Sequence, residues 1–220
     1  MQEAGPTKHR DALRRDVLRR DASRRDAPRH DAAKPARARD RVFDTACDLF
    51  YRKGIRAVGV EEIVSTADVS KISLYRSFPS KDELVAAYLE ARSAWYWRWW
   101  DEVTGRHPGD PKAQLLAVFR SLVRKVTSEG YRGCPFANSA TEFPDPGHPG
   151  RRIAEANKRE LRVRLAALCR ELGARDPALL ADQLLLLMEG AYAIGQSLGT
   201  AEPVHAVVQA ADALIEAQSP

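Results

Sequence analysis

The chain has 220 residues, 44% of them hydrophobic and 30% charged, enough for one core or for a small module joined to a larger one. Its three cysteines, an odd number and widely spaced, argue against a disulfide framework and a zinc site. The first 40 residues lack the apolar stretch of a signal peptide, and the longest aliphatic run, Leu184 to Met188, is too short for a membrane span. We therefore expect a cytoplasmic, nucleoid-associated protein.

The formal net charge of +5 lies within the first 40 residues, most of which belong to an N-terminal repeat arm, residues 1–36. Residues 1–40 hold 12 Lys or Arg against 7 Asp or Glu, whereas residues 41–220 hold 23 of each. A five-residue unit, basic-basic-Asp-small-variable, occurs five times over 9–33. A period of five builds no apolar face on a helix or strand, so we expect disorder. The arm is either a solvated extension without a specific role or a mobile cation that contacts DNA.

The segment 37–82 is predicted to be a helix-turn-helix DNA-binding domain. A first amphipathic helix covers about 37–52, and two short helices follow, broken by a tight turn at Ala67-Asp68-Val69. Ser70 can cap the second short helix. The sequence from Ser80 to Glu83 matches a capping box that opens a long fourth helix.

The second short helix is the predicted recognition element, with Leu74 turned inward. Its other side chains supply hydrogen-bond donors for phosphates and base edges, or an apolar surface for a thymine methyl group, and a lysine in the next helix adds one positive charge. The candidate DNA contacts are Ser70, Lys71, Ile72, Ser73, Tyr75, Arg76 and Lys81.

The stretch "LYRSFPSKDEL", preceded by "ADVSKIS", resembles the signature of the TetR family of bacterial transcriptional repressors, over about residues 38–84. Three departures stand out: Asp68 replaces the usual turn Gly, Val58-Gly59 replaces a Thr pair, and Ser77 stands where a phosphate-contacting His is usual. The first two leave the fold possible, since Asp tolerates a left-handed conformation and Gly is a weaker cap. The contact of the family's His cannot be carried over to Ser77.

Residues 83–220 are predicted to be an all-helical effector-binding and dimerisation domain. No segment alternates at period two over a useful length, which favours an all-α fold. Beyond the fourth helix, which runs from Lys81 to about Val103, helices are expected over about 110–126, 135–142, 149–172, 177–198 and 203–217.

The resemblance implies a homodimer formed through the last two long helices. The penultimate helix supports it, because "LLADQLLLLMEGAYAIGQSLG" is apolar around more of its circumference than one core face needs. Gly190, Ala193 and Gly195 would let a partner helix approach closely. The alternative is burial of this helix within one subunit.

Aromatic residues suggest an effector pocket between the helices. The four tryptophans all lie in "WYWRWWDEV", where the aromatic side chains cover more of the helix than a single core stripe needs. The candidate pocket residues are Trp95, Trp99, Phe119, Tyr131, Phe136, Phe143 and Tyr192. For each of them, packing in the core or at an interface is the alternative.

These features together predict a sequence-specific transcriptional regulator that acts as a repressor, released from a palindromic operator by a small apolar effector, without a cofactor or metal. The alternative is an all-α small-molecule-binding protein or enzyme whose N-terminal helices do not read DNA. Catalysis is not expected, since "GQSLG" at 195–199 lacks the preceding strand of a hydrolase elbow.

Overall fold

The computed structural model of the chain describes residues 37–198 and 202–219. These residues form nine α-helices and no strand, which confirms the all-α fold. The helices are α1 (Ala38–Lys53), α2 (Val60–Ala67), α3 (Lys71–Ser77), α4 (Lys81–Gly105), α5 (Pro111–Val126), α6 (Pro135–Glu142), α7 (Pro149–Glu171), α8 (Pro177–Leu198) and α9 (Glu202–Gln218). The helix ends expected from periodicity agree with these within two residues. The repeat arm lies outside the described residues.

Side-chain caps set the starts of α3 and α4. Ser70 Oγ accepts a hydrogen bond from the backbone N–H of Ser73 (3.1 Å), and Ser80 Oγ accepts one from Glu83 (3.1 Å). Both caps are those that the capping motifs predict. Gly59, at the start of α2, offers no side-chain cap. The start of α2 therefore depends on tertiary packing.

The turn between α2 and α3 is built around Asp68. Its φ of 51° is left-handed, and its backbone N–H points at the carbonyls of Val64 and Ser65. The short polar side chain of Asp lowers the energetic cost of this left-handed conformation relative to other residues with a Cβ atom. The Arg41 guanidinium donates to the carbonyl of Asp68 at 3.2 Å, which ties α1 to the turn. The departure from glycine thus leaves the helix-turn-helix geometry intact.

One apolar core extends from α1 to α9. In the N-terminal part, Val42 and Ala46 of α1 are fully buried, as are Ile63 and Leu74 of the two short helices. Further along, α7 packs on α8, α8 on α9, and α5 on α9. Helix α8 has the length and composition of a membrane span, and 39% of its most apolar stretch is buried inside the fold.

The tryptophan-rich part of α4 buries Tyr96 and Trp100, which are 5% and 4% exposed. Trp95 and Trp99 are only partly buried, and Ala91 is exposed. Helix α4 packs against α1, α5, α6 and α7, so its buried face changes along its length.

Gly195 also differs from its predicted role. It is buried within the subunit, where an added Cβ would lie 1.9 Å from Val126 Cγ1 of α5. The small residue therefore lets α8 approach α5, rather than a second subunit. Gly190 and Ala193 remain exposed.

Gly195→Ala is expected to destabilise the fold by about 1 to 3 kcal/mol, because Val126 is a stiff β-branched side chain that cannot easily turn away. Val126→Ala removes the obstruction, so the double variant should lose less unfolding free energy than the sum of the losses in the two single variants. Urea unfolding of the four proteins, followed by circular dichroism, measures this coupling. Additive free energies would contradict the close packing of α8 on α5.

Candidate nucleic-acid interface and ligand cavity

Helix α3 has one face in the core and the opposite face in solvent. Leu74 is 0% exposed, whereas Ile72 is 72% exposed and Tyr75 is 41% exposed. Lys71 and Arg76 are exposed as well. A helix anchored on one side with polar and apolar groups projecting from the other has the form needed to enter a major groove.

The remaining polar groups of α3 are engaged in local contacts. The Ser70 and Ser73 hydroxyls lie 2.9 Å apart. The Ser77 hydroxyl donates to the Ser73 carbonyl at 3.0 Å, so it is committed to its own helix. The Lys71 ammonium pairs with the Glu61 carboxylate of α2, and this hydrogen bond raises the pKa of Lys71. Lys71 is therefore a charged group held against α2 in the free protein.

Lys81 lies at the start of α4, beside the helix-turn-helix. Its ammonium is 5.9 Å from the centre of the Phe50 ring, and the side chain is partly buried. Burial lowers the pKa of Lys81. To reach a phosphate, this side chain has to extend away from the core.

A cavity of about 250 Å³ lies among α1, α4, α5, α6 and α8. Its walls combine aromatic rings with a few polar groups, which is the composition of small-molecule sites. The lining residues are Tyr51, Arg92, Trp95, Tyr96, Lys125, Gly133, Cys134, Pro135, Phe136 and Tyr192. Three of the seven aromatic residues singled out in the sequence are among them: Trp95, Phe136 and Tyr192.

The other four candidate pocket residues lie outside the cavity lining. Phe119 is completely buried in the core. The indole N–H of Trp99 donates to a serine hydroxyl of α5 at 2.9 Å. Tyr131 donates to the backbone carbonyl of Tyr192 at 3.3 Å, and Phe143 stacks on a histidine ring with a centroid separation of 3.7 Å. These side chains support the surrounding framework.

The sequence analysis missed two cations in the cavity wall, Arg92 of α4 and Lys125 of α5. The Arg92 guanidinium lies 5.0 Å from the centre of the Tyr51 ring, and the Lys125 ammonium lies 3.9 Å from that of Trp95. In the described part of the chain, neither has a carboxylate within ion-pair distance. Lys125 follows the buried Leu122 by three residues, and this basic residue on an apolar face was the available signal.

Further polar groups line or adjoin the cavity. The Cys134 thiol accepts a hydrogen bond from the Lys158 ammonium at 3.5 Å, and Lys158 also pairs with Glu189 at 2.5 Å. Although burial alone would lower the pKa of Lys158, its contacts with Cys134 and Glu189 raise it. Burial raises the pKa values of Tyr96 and Tyr192, so both phenols stay protonated. The buried Tyr96 hydroxyl lies beside the Tyr192 hydroxyl, but it makes no hydrogen bond of normal geometry to any described residue.

The cavity wall is in direct contact with the helix-turn-helix. Tyr51, the lining residue from α1, donates its hydroxyl hydrogen to the carbonyl of Gly133 (3.3 Å) and accepts from the backbone N–H of Arg132 (3.0 Å). The Arg132 guanidinium in turn donates to the carbonyl of Arg52 (3.1 Å). The loop before α6 is thereby fastened to the last turn of α1.

Helix α6 makes a second connection. Its first turn contributes Phe136 to the cavity, and its last residue, Glu142, accepts hydrogen bonds from the backbone N–H groups of Ile55 (3.1 Å) and Arg56 (2.6 Å). Arg56 also donates from its guanidinium to the carbonyl of Glu142 at 3.3 Å. Since these two residues lie between α1 and α2, α6 is hydrogen-bonded directly to the helix-turn-helix.

The fold and the exposed α3 define an all-helical DNA-binding regulator, and comparisons with known proteins give the family. The sequence profile of bacterial regulatory proteins of the tetR family matches residues 42–88. The crystal structure of SCO4454, a TetR-family transcriptional regulator from Streptomyces coelicolor, is 33% identical and superposes with a TM-score of 0.79 over 83% of this chain and 96% of that one.

Curated relatives point the same way. The HTH-type transcriptional regulator YjdC of Escherichia coli is 28% identical over 152 residues, which are 69% of this chain and 80% of that protein. The HTH-type transcriptional repressor NemR of E. coli is 27% identical over 108 residues, 49% of this chain and 54% of that one. The chain belongs to the TetR family, and it is a DNA-binding transcriptional regulator.

Lys125 should make the stability of the fold depend on pH. Burial lowers its pKa from 10.5 to about 8, so above this value the folded state has released a proton that the unfolded state retains. The free energy of unfolding of the wild type should therefore rise with pH relative to Lys125→Met, by up to about 1.4 kcal/mol per unit between pH ~8 and pH ~10. Urea unfolding across this range measures the effect. The matched control is Arg124→Met, at the exposed neighbouring position, which keeps Lys125. The difference in unfolding free energy between the wild type and this variant should not change with pH. An equal pH-dependent difference for both variants would contradict the assignment.

Proposed function

We propose that the protein is a repressor that binds a palindromic operator as a homodimer and is released when a small molecule enters the cavity. The observation that carries this proposal is the mounting of α3, with Leu74 completely buried while Ile72 and Tyr75 project outward. The name of the related NemR repressor favours repression over activation. Members of the TetR family bind operators and small-molecule effectors and act as dimers.

The proposed DNA contacts are those predicted from the sequence. Ile72 is placed for apolar contact with a thymine methyl group, while Lys71, Tyr75 and Arg76 supply donors for phosphates and base edges. Ser70 and Ser73 serve first as parts of the helix cap. Lys81 offers one more cation at the edge of the domain.

The proposed domains follow the expected division into the repeat arm (1–36), the DNA-binding domain (37–82) and the effector-binding and dimerisation domain (83–220). Helix α4 crosses the second boundary, since its first turns bury Leu84 and Val85 and its middle lines the cavity. A ligand that moves α4 would thus move the base of the DNA-binding domain. Contact of the repeat arm with DNA remains a prediction.

The proposed dimer interface is the outer surface of α8 and α9. Leu186 is 71% exposed and Ile194 is 40% exposed, and both border a shallow apolar groove between these helices. Large exposed aliphatic groups around a groove indicate a protein-protein interface. Two-fold pairing here would present two α3 helices to successive major grooves about 34 to 36 Å apart.

Release of DNA is proposed to pass through α6 and Tyr51. A ligand in the cavity touches Phe136 at one end of α6, and Glu142 at the other end holds the backbone of Ile55 and Arg56. The ligand binds most tightly to the dimer conformation in which it best fills the cavity. In that conformation the two α3 helices have a spacing that does not fit the operator, so ligand binding lowers operator affinity.

Lys71→Ala should weaken operator binding roughly tenfold and make its salt dependence shallower by about one unit of log-log slope, because one phosphate contact is lost. Tyr75→Phe should weaken binding without unfolding the protein. A gel-shift or fluorescence-anisotropy titration over a salt series, with DNA flanking the gene and competitor present, measures both. The control is Arg159→Ala, at an exposed position of α7, which should leave affinity and slope unchanged. Wild-type affinity in both recognition-helix variants would reject these contacts.

Leu186→Arg should convert the dimer to a monomer and abolish two-site operator binding, because a charge would be buried at the centre of the interface. Light scattering after size-exclusion chromatography measures the molar mass. Val163 of α7 is 56% exposed and lies off this surface, so Val163→Arg is the matched control and should stay dimeric. A dimer of the Leu186 variant at low micromolar concentration would place the interface elsewhere.

A further inference from the structure

We propose that the cavity binds a small organic anion, with its acidic group held by Arg92 and Lys125 and its apolar body lying against Trp95 and Phe136. This deepens the proposed function, on which it rests, by naming the chemical class of the effector. It also alters the expectation of a purely apolar effector.

The unbalanced charge of the cavity wall is the first argument. Arg92 and Lys125 both line the cavity, and the ten lining residues include no Asp or Glu. A buried cation is costly unless an anion accompanies it. Lys158, just behind the wall, is by contrast neutralised by Glu189 at 2.5 Å. An acidic group entering the cavity would supply the counter-charge that the protein itself leaves out.

The aromatic contacts of the two cations do not replace that counter-charge. Arg92 lies over the rings of Tyr51 and Tyr88, with distances of 5.0 and 5.5 Å to their centres. Lys125 lies 3.9 Å from the centre of the Trp95 ring. Contacts with ring faces hold the cations in place; Arg92 also contacts the Tyr88 hydroxyl, but its five-donor guanidinium and the Lys125 ammonium keep N–H groups for an anion.

The Tyr96 hydroxyl is the second and independent argument. Tyr96 lines the cavity and is 5% exposed, and its hydroxyl, which lies beside the Tyr192 hydroxyl, makes no hydrogen bond of normal geometry to any described residue. Buried hydroxyls without partners are rare, because the lost hydration is not recovered. As a protonated phenol it can donate to an acidic oxygen. A ligand oxygen near Arg92 and Lys125 would satisfy this donor together with the two charges.

The remaining walls determine the rest of the ligand. Trp95, Phe136 and Tyr192 enclose a space suited to a compact ring or a short branched chain. A volume of about 250 Å³ favours a molecule with a single ring over an extended multi-ring compound. A cationic ligand would meet two like charges and no acidic partner.

The test compares two probes of nearly equal shape, 3-phenylpropanoate and its neutral amide, with the full-length protein. Isothermal titration calorimetry, supported by tryptophan fluorescence, gives Kd without DNA. We expect the carboxylate to bind about 10- to 100-fold more tightly than the amide, which is the range for hydrogen bonds to charged groups. Lys125→Met and Arg92→Met should each remove most of this preference. Arg124→Met and Arg98→Met, at exposed positions on the same two helices, should preserve it.

Equal binding of the two probes, tighter binding of the amide, or a preference unchanged in both cavity variants would overturn the proposal. So would the absence of carboxylate binding at about 10 mM, where even a millimolar Kd is visible. A parallel gel-shift separates the two proposals. If the carboxylate binds as described but leaves operator binding unchanged, the ligand class stands and effector-linked release fails. If the amide releases DNA at the same concentration as the carboxylate, the proposal of effector-linked release is supported and the proposal of an anionic effector is rejected.

Discussion

The burial of Leu74 is the contact on which the proposed DNA-reading surface depends. This side chain lies at 0% exposure between the helices of the N-terminal domain, and it fixes the rotation of a helix of seven residues that could not be stable alone. With Leu74 inward, the helical period places Ile72 and Tyr75 outward. The cap formed by Ser70 and the left-handed turn at Asp68 set the start of the helix and its angle to α2. A reading helix needs this rigid mounting because base contacts tolerate little displacement.

The same domain is fastened to the cavity by hydrogen bonds to backbone groups. Tyr51 joins α1 to the loop before α6, and Glu142 joins the end of α6 to the segment between α1 and α2. Backbone partners cannot rotate away as side chains do, so the connection between α6 and the helix-turn-helix is short and stiff. The helices that line the cavity and those that carry α3 therefore belong to one packed unit. Such packed units change between a few discrete arrangements rather than deforming continuously.

The repeating pattern of apolar residues and the caps made most of the fold predictable, whereas the pocket was predictable only in part. Of the predicted pocket residues, Trp95, Phe136 and Tyr192 line the cavity, whereas Phe119 and Trp99 pack in the surrounding framework. An aromatic residue has the same pattern in a core and in a cavity wall, so sequence alone cannot separate the two uses. The rotation of the buried face of α4 has a similar origin, because it follows from the four helices packed around it.

What the sequence by itself determined is local: where helices begin and end, which face of the recognition helix is apolar, and the motif that resembles the TetR family. These properties depend on neighbouring residues along the chain. Only the tertiary structure decided that Arg92 and Lys125 line one cavity without a carboxylate, and that Gly195 serves the contact with Val126. The charge balance of the cavity and the close approach of α8 to α5 depend on residues far apart in the chain. The apolar pattern of a single helix does not show which other helices pack against it.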